Sequence, residues 1–231
     1  MLVLGLDLET TGLNPESDEI IEVGAVVWDT NRGTPVKIYS ELVQSQTPVT
    51  EEITRITGIK NEDLRAWGVS PQEAFLNLEA LAQKCEYIVA HNGLEFDKLF
   101  IDRYLATMPD IQLDLPWIDT MTDLPYPEEL KTRKLSYVAA EHGFLNPFAH
   151  RSLFDVLTMM KVFSSYPLPD VIEFAKSPMV RIVAQVSFAE KDKAKNLGFR
   201  WDPNRKEWFH GLREAQMKRA EFPFPVTCET L

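Results

Sequence analysis

The chain has 231 residues, with 24 basic against 35 acidic side chains, a formal net charge of −11 at pH 7 and 45% apolar residues, enough for a sizeable core. That charge excludes nucleic-acid binding by bulk attraction, and the lack of any run of 18 apolar residues excludes a transmembrane helix. The N-terminus enters an apolar strand without a basic leader, and Cys85 and Cys228 lie far apart without metal-binding spacing, so the expectation is a cytoplasmic protein with two free thiols.

Strands rich in Val, Ile and Leu are predicted at about 2–8, 20–28 and 37–43, antiparallel in the simplest topology, with Gly12, Asn14 and Pro15 in the first turn. Asp7 and Glu9 fall on one face of the first, among Val3, Leu4, Leu6 and Leu8. A helix at about 71–84 is opened by Ser70 and Pro71, with Glu73 behind them. A short buried strand at 87–90 follows, so that Asn92 emerges where a strand ends, and a helix covers about 95–107. Asp119 ends an apolar run in WIDT; Asp is common at strand ends, and it is left off the ligand set. Helices at about 134–142 and 150–164 complete this part, with His150 in the loop before the last. Pro167, Pro169 and Pro178 read as turns and stiff extended chain, a linker over 167–178.

Charge changes beyond that linker: residues 1–178 hold 14 Lys and Arg against 28 Asp and Glu, residues 179–231 hold 10 against 7. The tail reads as an edge strand (180–188), a short helix ending at Gly198, and a turn through Asp202, Pro203 and Asn204 into another strand. Phe188, Phe199, Trp201, Trp208 and Phe209 are its expected core. Lys191, Lys193, Lys195, Arg200, Arg205 and Lys206, interleaved with tryptophan, either hold phosphate beside a stacking ring or merely solvate a helix face.

Two carboxylates in a buried strand repel each other and lose solvation, so they call for a cation, a donor or a proton. Hard divalent ions with oxygen ligands answer that need, and two of them roughly 3.5–4 Å apart clamp the attacking and leaving oxygens of a phosphate ester. Hydrolysis of phosphodiesters is the expected chemistry. No GxxxxGK phosphate loop exists, which argues against ATP use.

Three segments in order carry a resemblance: DLETTG (Asp7, Glu9, Thr10, Thr11, Gly12), HNGLEFD (Asn92, Phe96, Asp97) and HRSLFD (His150, Asp155). With the TGI at 57–59 between the first two, the chain over about its first 165 residues resembles the DEDDh branch of the DEDD 3′→5′ exonucleases, a group that includes bacterial proofreading subunits, exonuclease X and ribonuclease T. The resemblance implies an α/β, RNase H-like domain over 1–166 with a central mixed five-stranded sheet flanked by helices, and leaves 179–231 as a small α+β module for nucleic acid or a partner. That module is itself similar to a recurring short domain with an FAEKDxAKxLGxxWD pattern. Asp7, Glu9, Asp97 and Asp155 are implied as ligands of two divalent cations, Mg²⁺ or Mn²⁺, with Asp7 bridging and Glu9 also orienting the nucleophilic water. His150 is implied as the general base, since neutral imidazole accepts a proton around pH 7. Thr10, Thr11 and Leu13 are implied to hold the 3′ end, with Leu13 alternatively stapling its turn to the core, and Asn92 to support the second motif. His91 is expected to brace its loop. The implied substrate is a single-stranded or frayed 3′ end, DNA before RNA, cut to nucleoside 5′-monophosphates as in DNA repair. An exoribonuclease, or a proofreading-like subunit with little activity alone, are the alternatives. Several relatives are dimers, so the resemblance allows a homodimer; it implies no membrane partner.

Overall fold

A computed structural model describes residues 1–127 and 130–230. The chain divides into two compact units, Met1–Met121 with Thr132–Leu168, and Thr122–Lys131 with Pro169–Leu231.

The first unit is built on β1 (Leu2–Thr10), β2 (Ile20–Asp29) and β3 (Thr34–Leu42), then α1 (Glu51–Thr57), α2 (Asn61–Trp67), α3 (Pro71–Ala82), β4 (Ile88–Ala90), α4 (Asp97–Leu105), β5 (Trp117–Asp119), α5 (Leu135–Glu141) and α6 (Ser152–Phe163). The sheet order is β3-β2-β1-β4-β5; the first three strands are antiparallel and β4 and β5 join in parallel, which gives the expected mixed five-stranded α/β sheet. Helix α3 starts as its sequence requires, with Ser70 accepting from the Glu73 amide and Pro71 in the first turn. Helices α1 and α2 were not anticipated; Ile59 and Leu64 bury against Ile21 and Val49.

Alternation along β1 sorts its side chains onto two faces. Leu4, Leu6 and Leu8 enter a core with Phe75, Leu78, Phe100 and Ile101. Gly5, Asp7 and Glu9 face the other way, and their register partners Val26, Gly24 and Glu22 on β2 share that face. Helix α6 lies on it at very short range. A Cβ at Gly24 would stand 2.5 Å from the backbone of Ser152 and Leu153, and one at Gly5 would stand 2.8 Å from the Met160 side chain. The two glycines are what allow α6 to descend beside the carboxylates.

The second unit contains α7 (Leu168–Lys176), β6 (Met179–Ala184), a 3₁₀ turn (Phe188–Glu190), α8 (Lys191–Asn196), β7 (Arg200–Asp202), β8 (Glu207–Arg213), α9 (Glu214–Arg219) and β9 (Val226–Thr230). Its antiparallel sheet runs β7-β8-β6-β9 over a core of Val180, Ile182, Ala184, Ala194, Phe199 and Leu212. Three expectations are corrected. The supposed linker over 167–178 is mostly helix: Pro169 occupies the first turn of α7, where its missing N–H removes no intrahelical bond. Strand β6 is not an edge but has neighbours on both sides, because β9 pairs with it. Of the supposed core, Phe188 is 84% exposed and Trp201 49% exposed, while Phe199 is buried. Among the described residues no helix is long and apolar enough to cross a membrane, and Cys85 and Cys228 are free thiols.

Candidate metal centre and catalytic site

Asp7 and Glu9 project from β1 toward the first turn of α6, which carries Asp155. One carboxylate oxygen from each of the three lies within 4.8 Å of the others, and all three residues are half-buried. Asp97 arrives from the opposite edge of β1. The parallel ladder to β4 covers Leu4 and Gly5, and farther along the strand the Leu8 N–H donates instead to Asp97 Oδ1 at 2.9 Å, at the start of α4. Asp97 is buried, and its charge is felt by Asp7. The structure thus gathers three of the expected acids into one cluster and sets the fourth beside it.

This concentration of like charge is costly without a counter-ion. Burial, then the charges of Asp97, Glu9, Asp155 and Glu22, hold Asp7 well above the usual carboxylate range. Glu9 is pushed up to about 8 by burial and then by Asp155, Glu22 and Asp97, with Arg151 opposing. Asp97 is pushed up to about 8, first by burial, against its hydrogen bond from Leu8. Burial also raises Asp155, opposed by its hydrogen bonds. An all-oxygen donor set with this much uncompensated charge fits a hard divalent cation, and gives the cluster metal-binding capacity.

The loop before α6 is folded around Asp155. The His150 N–H donates to Asp155 Oδ2 at 2.7 Å and Asn146 Nδ2 donates to Oδ1 at 2.8 Å. His150 itself is exposed, with φ 64°, a left-handed conformation that directs the chain back into the helix. Beneath it, Glu22 is 1% exposed and accepts from Arg151 Nε (3.0 Å) and Nη2 (2.7 Å) through one oxygen and from the Ser152 N–H (2.8 Å) through the other. Glu22 therefore anchors the start of α6, and with it Asp155, to β2. Glu22 and Asn146 escaped the sequence reading. A signal for Glu22 existed, a lone acid in the apolar run IIEVGAVVW; Asn146 offered none.

The second motif is braced in a similar way. Asn92 has φ 64°, which asparagine tolerates, and its N–H donates to Asp119 Oδ1 at 2.8 Å; the Leu94 and Met121 amides also donate to Asp119. Asp119 is buried and serves this loop. His91 Nδ1 lies 2.9 Å from Thr120 Oγ1, and burial pushes its pKa down to about 4, so it is a neutral brace.

Thr10 and Thr11 are buried and their hydroxyls are engaged within the turn. Thr10 Oγ1 donates to the Gly12 carbonyl, while Thr11 Oγ1 contacts Asp18 and accepts from the Glu19 N–H. Leu13 is 84% exposed, so it does not staple the turn to the core.

The family described as Exonuclease matches residues 4–163, and one described as a domain of unknown function matches 181–228. DNA polymerase III PolC-type of Thermotoga maritima is 33% identical over 159 residues, 68% of this chain but 11% of its own length. The corresponding protein of Ureaplasma parvum is 30% identical over 161 residues, so the chain spans about a tenth of these relatives. Oligoribonuclease of Tropheryma whipplei is 31% identical over 70% of this chain and 89% of its own. The structure of E. coli exonuclease I in complex with a dA16 oligonucleotide has a TM-score of 0.63 at 16% identity, covering 89% of this chain and 53% of its own. That likeness is one of fold.

Proposed function

Since the chain belongs to the exonuclease family, we propose that it removes nucleoside 5′-monophosphates from 3′ ends, of DNA in preference to RNA, with two divalent cations, Mg²⁺ or Mn²⁺. The convergence of Asp7, Glu9 and Asp155, with Asp97 at the same strand, carries this reading. These four residues would hold the cations, which when bound neutralise charge on the phosphate and acidify the attacking water. Everything else falls to the chain's own residues.

Glu9 lies one pleat beyond Asp7 on the same face and orients the water for attack on phosphorus. His150, exposed beside Asp155, accepts the proton of that water. As the new P–O bond forms, the bond to the 3′ oxygen of the preceding nucleotide breaks and that oxygen takes a proton from solvent, leaving a shortened strand with a 3′-hydroxyl and a free 5′-monophosphate. No covalent enzyme intermediate is required. The exposed Leu13 side chain is the wedge against the terminal base. With both threonine hydroxyls used inside the turn, Thr10 and Thr11 contribute through its backbone shape. Asn92 keeps the Asp97 loop in place through Asp119.

The DNA preference rests on the PolC-type relatives, and the rival exoribonuclease reading on the oligoribonuclease, which this chain matches over most of its length. Discrimination depends on pocket contacts to the 2′-hydroxyl. Competing labelled DNA and RNA single strands at equal concentration with Mg²⁺ decides between them: faster loss of DNA is expected, and faster loss of RNA overturns the preference. Turnover abolished by Asp7→Asn is the expected control. A wild-type chain releasing no mononucleotide from either strand unless a partner is added would mean a subunit with little activity alone. The reading places the enzyme in the cytoplasm, and sedimentation equilibrium tests the homodimer.

A further inference from the structure

A groove of about 440 Å³ in the second unit is lined by residues 183–188 at the end of β6, by Trp201, and by residues 205–208 entering β8. Two aromatic rings in it face solvent. Phe188 is 84% exposed and Trp201 is 49% exposed, with Trp201 leaning on Trp208 at 5.6 Å between ring centroids and 56° between planes. A small module that leaves such rings accessible while burying Phe199 forgoes stabilisation that a packed position would supply.

Cations accompany the rings. Lys191 Nζ stands 4.1 Å from the Phe188 centroid. Lys206 is exposed in the β7–β8 turn, in a left-handed conformation with φ 54°. Among the described residues neither lysine is in an ion pair, whereas Arg205 is held by Glu207 and Glu229. The acid lining the groove, Glu207, is already neutralised by Arg181 and Arg205. The groove also lies in the segment where basic residues outnumber acidic ones, 10 to 7, in a chain that is otherwise strongly acidic.

We infer that this groove binds single-stranded nucleic acid, with bases stacked on Phe188 and Trp201 and phosphates held by Lys191 and Lys206. Every base offers a π-face, so such a platform tolerates any sequence, and ammonium groups act on phosphate as point charges. The ligand chemistry, bases linked by phosphodiesters, is common to DNA and RNA. An apolar peptide docking on the rings would have no use for the two lysines.

The full chain in EDTA, where hydrolysis is stopped, is titrated against fluorescent oligo-dT and oligo-U strands of about 15 nucleotides, within the span that such grooves cover. Phe188→Ala and Trp201→Ala are each expected to weaken binding about five- to a hundredfold, at an unchanged slope of log affinity against log salt. Combined Lys191→Gln and Lys206→Gln is expected to lower that slope by about 1.4. Phe188→Tyr and Trp201→Phe keep a ring and should retain affinity, which separates stacking from misfolding. Parallel losses for both strands assign the shared chemistry, and a loss confined to one assigns the groove to that nucleic acid. Wild-type affinity in both alanine variants, equal loss in the ring-retaining variants, or an unaltered salt slope in the lysine variant overturns the inference. Binding that persists in a chain without turnover would defeat the proposed hydrolysis alone, and turnover on short ends with no groove binding would defeat this inference alone.

Discussion

At the acid cluster, burial and like charge set two outcomes. Without cations Glu9 and Asp97 have folded-state pKa values of about 8, against ordinary values of 4.5 and 3.8. The folded protein therefore holds more protons than the unfolded chain between those limits, so stability is present below about 4 and is lost as pH rises through about 8. In EDTA the unfolding temperature should fall from pH 5 to pH 9, and Mg²⁺ should raise it more at pH 9 than at pH 5; a cation effect independent of pH would contradict this account. For His150 the substitution of choice is His150→Asn, because asparagine tolerates the left-handed backbone at that position. Removing a general base of 10²–10⁴-fold effect should lower turnover by about 2.7–5.5 kcal/mol of barrier with strand affinity unchanged, and unaltered turnover would take His150 out of the reaction. The acids were legible in the sequence because two-residue periodicity puts Asp7 and Glu9 on one face and because motif spacing ties Asp155 to His150. Glu22 and Asn146 were not: one acts through a residue 129 positions away, and the other lies in an irregular loop.

Helix α6 is close enough to the sheet for its seat to be tested. Gly24→Ala would drive a methyl group into the backbone of Ser152 and Leu153, which cannot step aside without lifting the first turn of the helix. Gly5→Ala meets the flexible side chain of Met160 and the stiffer Val156 farther along the helix. Overpacking of this kind costs about 1–3 kcal/mol, and the expectation is that Gly24→Ala takes the larger loss in thermal unfolding and reduces turnover at least about tenfold, by moving Asp155. Gly5→Ala should keep most of its turnover; a reversed ranking would show that α6 is not seated by Gly24. Strongly patterned elements such as β1, β2, α3 and α6 were readable from periodicity and caps. The seven-residue α1 and α2 were not, since their burial depends on Ile21, which comes from a strand distant in sequence. In α7 the prolines were read as breakers although Pro169 falls where a helix accepts it.

Across the whole molecule, compactness follows two units between which the chain passes three times, because Thr122–Lys131 belongs with the C-terminal portion. Within that unit Asp123 is fully buried and receives Arg213 Nε at 2.7 Å and Nη2 at 3.2 Å, while Arg213 Nη1 donates to the Ser177 carbonyl at 3.1 Å. Gln216 Nε2 donates to the Thr122 carbonyl as well. No local pattern announces this pair, since its members are 90 residues apart. Leaving one member of a buried pair without the other costs about 3–5 kcal/mol, whereas apolar replacement of both can be close to neutral. Arg213→Met should therefore destabilise the second unit strongly, and Asp123→Leu added to it should recover part of the loss. Two units of this kind need not unfold together. In calorimetry with and without Mg²⁺, the transition that responds to the cation reports the first unit. Arg213→Met is expected to move the other transition and leave the cation-sensitive one in place; a single transition shifted as a whole would mean that the two units unfold as one cooperative body.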